Sequence, residues 1–369
     1  MNYSYWEYKE WFTGNDFVII GSGIVGLNCA INLRERFPTS KIIILEKGLL
    51  PQGASTKNAG FACFGSTSEL LSDLKTHSEQ EVFQLVKKRW EGLQLLRNLL
   101  GDKNIDYQHH YGYELFSDEA FFEKCEQKTA ELNQLLFPLF KNAVFSSVHN
   151  KFKFKKTVPT YLVNQFEGQI DTGKMVSQLL KIAQQKGIII LNNTTVQGFS
   201  EDTNKVKIET DQGVFTASKL FFATNGFSKE LLQEKVAPAR AQVLITNPIK
   251  NLHIKGTFHL EEGYYYFRNI NNRILLGGGR NLDFKTEETT EFGQTNRIQN
   301  KLEELLKTTI LPNTDFQITH RWSGIMGVGN QKNPIVKQLS ENVFCGVRLG
   351  GMGVAIGSLV GKELAALLD

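Results

Sequence analysis

The chain has 369 residues, 41% of them hydrophobic, which is enough to bury more than one core. Its formal net charge is only +4, with lysines and arginines scattered, so nothing in the composition calls for a nucleic-acid partner. The N-terminal MNYSYWEYKEWF lacks the basic and apolar regions of a secretory signal, no apolar run reaches membrane-spanning length, and Cys29, Cys63, Cys125 and Cys345 show no metal-binding spacing. The expectation is a cytoplasmic protein with reduced, buried thiols, no metal, no nucleic acid and no membrane span.

The first elements are the most informative. Phe17 to Ile20 is a short apolar strand, followed by Gly21, Gly23 and Gly26 at the spacing G-x-G-x-x-G. Gly21 allows a tight turn, Gly23 lets backbone approach a pyrophosphate, and Gly26 lets the following helix lie close to the strand. That helix, IVGLNCAINLRERF, is apolar at helical spacing and aims its positive end at the phosphates. Lys41 to Leu45 make a second strand that ends at Glu46, twenty residues beyond Gly26, where an acid accepts hydrogen bonds from a ribose. Strand, triplet, helix, strand and acid in this order form a dinucleotide-binding unit.

Farther along, Glu69 to Leu100 is helical in period, YGYELF reads as a strand, and DEAFFEKCEQKTAELNQLLFPLF is helical again. KFKFKK, Lys151 to Lys156, reads as a half-buried edge strand whose lysines discourage pairing. Asp171 or Thr172 caps a helix that stops at Gly187 before the strand Ile188 to Leu191. KVKIET and GVFTAS alternate as a solvated hairpin, and KLFFATNGF then reads as a separate buried parallel strand ending in a glycine turn. AQVLITNPI, GTFHL, GYYYFRN and NRILLGGG are short strands in succession, the mark of an antiparallel sheet. The chain closes with the buried strand NVFCGV and RLGGMGVAIGSLVGKELAALL, a second glycine turn leading into a helix.

Seven segments in order carry a resemblance: FVIIGSGIVGL with IIILEKG, GASTKNAGF, GQIDTGKMVSQLL, LFFATNGFS, YYYFRNINNRILLGGG, RWSGIMGVGNQKNPIV and GGMGVAIGSLVGKELA. Together they resemble the D-amino-acid-oxidase-type family of FAD-dependent oxidoreductases over nearly the whole chain. The resemblance implies an α/β (α+β) fold, with a Rossmann-like FAD-binding domain of discontinuous segments and an inserted antiparallel-sheet substrate domain. The boundaries read as 1–80, 151–230 and 320–369 for the FAD-binding domain, and 81–150 and 231–319 for the substrate domain.

It also implies why a glycine turn stands at both ends. FAD is long, so its adenosine and pyrophosphate would lie on the first turn, at Gly21, Gly23, Ile24, Val25 and Gly26, with Glu46 and Lys47 beside the ribose. The ring would lie on the last turn, at Gly350, Gly351, Met352 and Gly353, where the helix end would stabilise negative charge gathering on a reduced ring. Ala54, Ser55, Thr56, Asn58, Ala59 and Gly60 would complete the cradle, the hydroxyls of Ser55 and Thr56 facing the pyrophosphate and ribityl chain. Val196 would present its main chain to the adenine edge, and Ala223, Thr224 and Gly226 belong to the matching LFFATNGFS turn. Sarcosine oxidase, a member of that family, attaches FAD through a cysteine in the segment matching WSGIMGVGN, which has none here, so the implied cofactor is non-covalent FAD.

The implied reaction is hydride removal from a carbon bearing an amine, with a small amine or amino acid as substrate and either O2 or a quinone as final acceptor, in a monomer or small homo-oligomer. A carboxylate substrate needs an arginine with phenol donors, for which Tyr264, Tyr266 and Arg268 in the substrate sheet, and Arg348 and Arg321 near the flavin-side turns, are the candidates. One alternative is a 2-hydroxy-acid dehydrogenase, with His109, His110 or His320 as the base; another is a flavoprotein acting only within a complex, for example in tRNA modification.

Overall fold

The computed structural model describes residues 2–368. Two eight-stranded sheets and a small two-stranded one organise them. The first sheet has at its centre Val343–Val347, Gly213–Phe222, Asn15–Ile20, Ile42–Leu45 and Ile189–Leu191, neighbours in that order and all parallel. Nearly continuous Val, Ile, Leu and Phe in these strands follow from helices or hairpins covering both faces. Register aligns Ile20 with Leu45 and with Phe222, and Phe222 with Cys345. Four strands therefore end along one line, and the loops beginning at Gly21, Glu46, Ala223 and Arg348 emerge together.

The helix Ile24–Arg36 lies beside the final helix, Gly353–Ala365, because Gly357 and Gly361 allow it: a Cβ on Gly357 would stand 2.7 Å from Ile24 Cγ2. A Cβ on Gly92 would collide with the Ala355 carbonyl, so the helix Glu79–Leu100 covers the other side of the final helix. The two glycine turns are thus joined through the helices they start.

The second sheet runs in the order Ile318–Val328, Ala237–Thr246, Arg273–Gly278, Tyr265–Ile270, Thr257–Leu260, Gly112–Leu115, Thr160–Asn164 and Phe145–His149. All its pairs are antiparallel except Thr257–Leu260 with Gly112–Leu115. Its far face is packed by Phe258 stacked on Phe267, with ring centroids 4.5 Å apart, and by Ile298 and Leu302 of the helix Asn296–Leu305. Its near face, bearing His259, Tyr266 and Arg268, turns toward the nucleotide-binding half.

Several expectations need correction. KFKFKK is not a strand: Lys153 and Lys156 have φ of +64° and +55°, which breaks an extended run, although Phe152 and Phe154 are buried as the alternation implied. GVFTAS and KLFF are one strand, Gly213–Phe222, whose first half pairs antiparallel with Lys205–Thr210 and whose second half pairs parallel with Asn15–Ile20. Glu69 to Leu100 divides into two helices, Thr67–Asp73 and Glu79–Leu100, the second started by a Ser78–Glu81 capping box. The division between halves also shifts: Thr160–Asn164 and Ile318–Val328 belong to the second sheet, while Glu79–Leu100 packs on the nucleotide-binding side. Partner choice between distant stretches of chain leaves no mark on a strand's own pattern, which is why those boundaries moved. No helix among the described residues is long and apolar enough to cross a membrane.

Candidate active site

Above the aligned strand ends a cavity of about 340 Å³ reaches from the first sheet to the near face of the second. At its first end the three glycines have separate physical reasons. Gly21 has φ +100°, and a Cβ there would stand 2.9 Å from the Ala223 carbonyl oxygen. A Cβ on Gly26 would overlap the Gly21 carbonyl, so this residue sets the close helix packing and does not itself line the cavity. Gly23 lies on the wall, where a side chain would project against Ser55 Oγ at 2.9 Å. Ser55 Oγ also accepts from Ile24 N at 2.9 Å, which holds the loop to the helix start.

Glu46 is buried on the wall, and both its oxygens are engaged. One accepts from Ser22 N at 2.9 Å and Ser22 Oγ at 2.7 Å; the other accepts from Gly48 N at 3.1 Å and Gln52 N at 3.3 Å. The carboxylate thereby ties the loop after the second strand to the glycine turn. Beside it the Lys47 ammonium lies 3.5 Å from the Phe227 ring centroid, and burial lowers its pKa against the opposing pull of Glu230 and Glu46. Val196 lines the same end, and Ala223 and Thr224 follow. Thr224 Oγ1 is buried there without a hydrogen bond among the described residues.

Along the middle run Ala54, Ser55, Asn58, Ala59 and Gly60, with Ile24 and Val25 opposite. Thr56 is turned away, its hydroxyl donating to Pro51 O at 2.6 Å, as first-turn threonines readily do. Asn58 is spent on the loop: its Oδ1 receives Gly60 N at 2.8 Å and Thr172 Oγ1 at 2.9 Å. Gly226 also stays off the wall, and a Cβ there would stand 2.5 Å from the Met326 carbonyl oxygen of the second sheet.

The far end is formed by Gly350, Gly351, Met352 and Gly353, with Gly350 at φ +59° and the final helix starting at Gly353. Facing this turn, Ala241, Val243, Ile325 and Met326 give an apolar wall, and Cys63, Glu69, His259 and Tyr266 give its polar groups. Tyr266 lies flat over Gly277, whose Cβ would touch its hydroxyl at 2.7 Å, and burial pushes its pKa up to about 12. Phe61 sets its edge against both His259 and Tyr266, at centroid distances of 5.3 and 5.6 Å.

None of the candidate arginines reaches the wall. Arg268 is 2% exposed behind Gly60, with Nε unpartnered; burial lowers its pKa to about 10, against Asp171 and Asp106. Arg348 donates from Nε and Nη2 to Asn333 O, at 3.0 and 2.9 Å, on the outside of the turn. Arg321 pairs with Glu303 at 2.6 Å, and Tyr264 is exposed. His109, His110 and His320 lie off the wall, His109 Nε2 meeting Gln165 O at 2.7 Å.

The sequence reading did not single out His259, Glu167, Cys63 or Glu69. His259 sits in GTFHL, recognised only as a strand, and its partner Glu167 is 92 residues earlier: Nε2 and Oε2 are 3.0 Å apart. Burial disfavours charge on His259, but Glu167, together with Glu69 and Glu114, outweighs it and raises its pKa to about 9. Cys63 Sγ lies 3.8 Å from Met352 Sδ, and burial pushes the thiol well above its ordinary range. Cys63, Glu167 and His259 offer donor atoms all within 4.8 Å of one another, and the hydrogen bond between His259 and Glu167 accounts for two of the three.

The cavity fits a dinucleotide at one end: a glycine cradle that any Cβ would fill, a buried acid, and an unpartnered hydroxyl at Thr224. Comparison with known proteins agrees. The family model described as FAD dependent oxidoreductase, DAO, matches residues 16–367. The chain is 20% identical over 368 residues to a protein named probable oxidoreductase OrdL from Haemophilus influenzae, covering 95% of this chain and 82% of that one. Glycine oxidase from Geobacillus kaustophilus has the same fold, with a TM-score of 0.79 at 18% identity, over 96% of this chain and 94% of the other. L-proline dehydrogenase from P. horikoshii superposes with a TM-score of 0.77 at 18% identity, over 97% and 94%. The chain belongs to the DAO family and is an FAD-dependent oxidoreductase.

Proposed function

We propose that this chain oxidises the C–N bond of an amine or amino acid, with FAD held non-covalently. The observation that carries the reading is that both glycine turns and the near face of the second sheet share one cavity. When bound, FAD supplies a two-electron acceptor for the hydride that leaves the carbon bearing nitrogen; hydrolysis of the resulting imine releases ammonia or an amine.

The chain's own residues do the rest. Gly21, Gly23 and Ser55 would receive the pyrophosphate, Glu46 the ribose, the main chain of Val196 the adenine edge, and Gly350 to Gly353 the ring. The 13-residue final helix begins at that turn, so its positive end favours negative charge there. Ala241, Val243, Ile325 and Met326 exclude water from the reacting carbon, and Tyr266 offers a phenol donor. Cys63 is the cysteine on the wall, and its raised pKa keeps it a thiol, a poor nucleophile toward the ring. The 2-hydroxy-acid alternative loses support because none of His109, His110 and His320 reaches the cavity, and His259, which does, is favoured in its protonated form by Glu167 and so is a poor base at neutral pH. Acid precipitation should free all the yellow colour from the protein, and anaerobic addition of amines and amino acids should bleach the oxidised-flavin band; a yellow protein that only hydroxy acids bleach would refute the reading.

A further inference from the structure

His259 has the position and the bonding of a substrate anchor. It stands on the strand Thr257–Leu260, opposite Tyr266 in register, and is 5% exposed on the cavity wall. Its Nε2 is fixed on Glu167 Oε2. Glu167 has no exposed surface and is held by Asn164 Nδ2 and Thr257 Oγ1, each at 3.3 Å. Its Nδ1 has no hydrogen-bond partner among the described residues, and the Phe61 edge limits the ring's freedom. The other cations on the wall lie elsewhere, Lys47 against Phe227 and Lys57 toward Phe292, and the candidate arginines are off it.

We propose that His259 is the residue that meets the substrate, donating from Nδ1 to a substrate carboxylate, with Glu167 as its positioning residue. This inference rests on the amine-oxidation reading and narrows it: the substrates are amines that carry a carboxylate, that is amino acids, held by an imidazolium where a guanidinium is the commoner choice. The charged and titratable groups facing the ring are Glu167, Glu69, Glu114, the Cys63 thiol and the Tyr266 phenol, and Glu167 foremost favours the protonated ring. Glu69, whose Oε2 accepts from Ser66 N at 2.9 Å, places the opposite charge on the same wall, as a zwitterion requires.

Titration calorimetry of the FAD-loaded protein with propanoate, and with propylamine as the carboxylate-free control, tests the assignment without turnover. The propanoate Kd should stay constant from pH 6 to 8 and rise about tenfold per pH unit above about 9. His259→Gln should weaken propanoate at least tenfold at pH 7, and Glu167→Gln should move the loss of binding down by at least one pH unit, a shift that a merely structural role would not produce. If His259→Gln does not fold, the pH dependence of the unaltered protein decides. A Kd unchanged in His259→Gln, a flat profile to pH 10, or propylamine binding tighter than propanoate would overturn the proposal. Bleaching by carboxylate-free amines alone would also sink it while leaving C–N oxidation intact, whereas propanoate binding without bleaching by any amine or amino acid would sink the functional reading instead.

Discussion

Gly361 and Asn28 touch across the two helices that begin at the glycine turns: a Cβ on Gly361 would stand 2.6 Å from Asn28 Cβ and 2.7 Å from the Val25 carbonyl oxygen. In an exposed helix interior, replacing glycine with a side chain stabilises by about 1 kcal/mol. Here the overlap wins, because both neighbours are fixed in buried helix backbone. Gly361→Val should lower stability by about 1–3 kcal/mol, read as a fall in the midpoint of denaturant unfolding, and should lower FAD retention with it.

Glu46 satisfies four donors from two loops, so its effect reaches beyond any contact with a ribose. Glu46→Ala leaves the Ser22, Gly48 and Gln52 backbone N–H groups without their acceptor, at a cost of roughly 1–3 kcal/mol each where the site stays dry. The expected result is a lower melting temperature for the apoprotein and at least a tenfold weaker FAD affinity, with Glu46→Gln intermediate. Equal FAD affinity in all three proteins, measured by flavin fluorescence quenching, would contradict this role.

Two buried groups set the pH dependence of stability, and both act in one direction. His259 has an ordinary value of 6.5 and a folded value of about 9, so its contribution is complete below pH 6.5 and is lost as pH rises through 9. Burial raises Glu114 from 4.5 to about 7 despite its hydrogen bonds from Ser68, so its favourable protonation is present below pH 4.5 and lost as pH rises through 7. Denaturant unfolding should show stability falling by a few kcal/mol between pH 5 and 9. His259→Gln should flatten the part above pH 6.5.

How much of this was legible in sequence depends on the range of the interactions. Gly21 and Gly26 announce themselves because their neighbours leave no room for a Cβ, and both turns are local. Gly213–Phe222 hid its unity, since changing from an antiparallel to a parallel partner midway leaves its alternating and then continuous apolar pattern looking like two strands. Lys153 and Lys156 adopt left-handed backbone that no lysine advertises. His259 acquires its chemistry only from Glu167, and Arg268, prominent in sequence beside Tyr266, is placed behind Gly60 by a register that sequence does not display.

Arg348→Met should leave the substrate KM within about twofold, because its guanidinium is spent on Asn333 O outside the cavity. Arg268→Met should likewise leave KM unchanged, and stability equal or higher, since among the described residues its buried Nε has no partner and the side chain forms no salt bridge. A tenfold rise in KM for either variant in steady-state kinetics would return that arginine to the substrate site.

Anaerobic reduction with product analysis tests the central claim most directly. Amino acids, N-methyl amino acids, polyamines and 2-hydroxy acids are added in turn to the FAD-loaded protein while the oxidised-flavin band is followed. The account predicts bleaching by a compound with a C–N bond, with one ammonia or amine released per flavin reduced. Bleaching by hydroxy acids alone, or no bleaching by any compound in a protein that has taken up FAD, would contradict it.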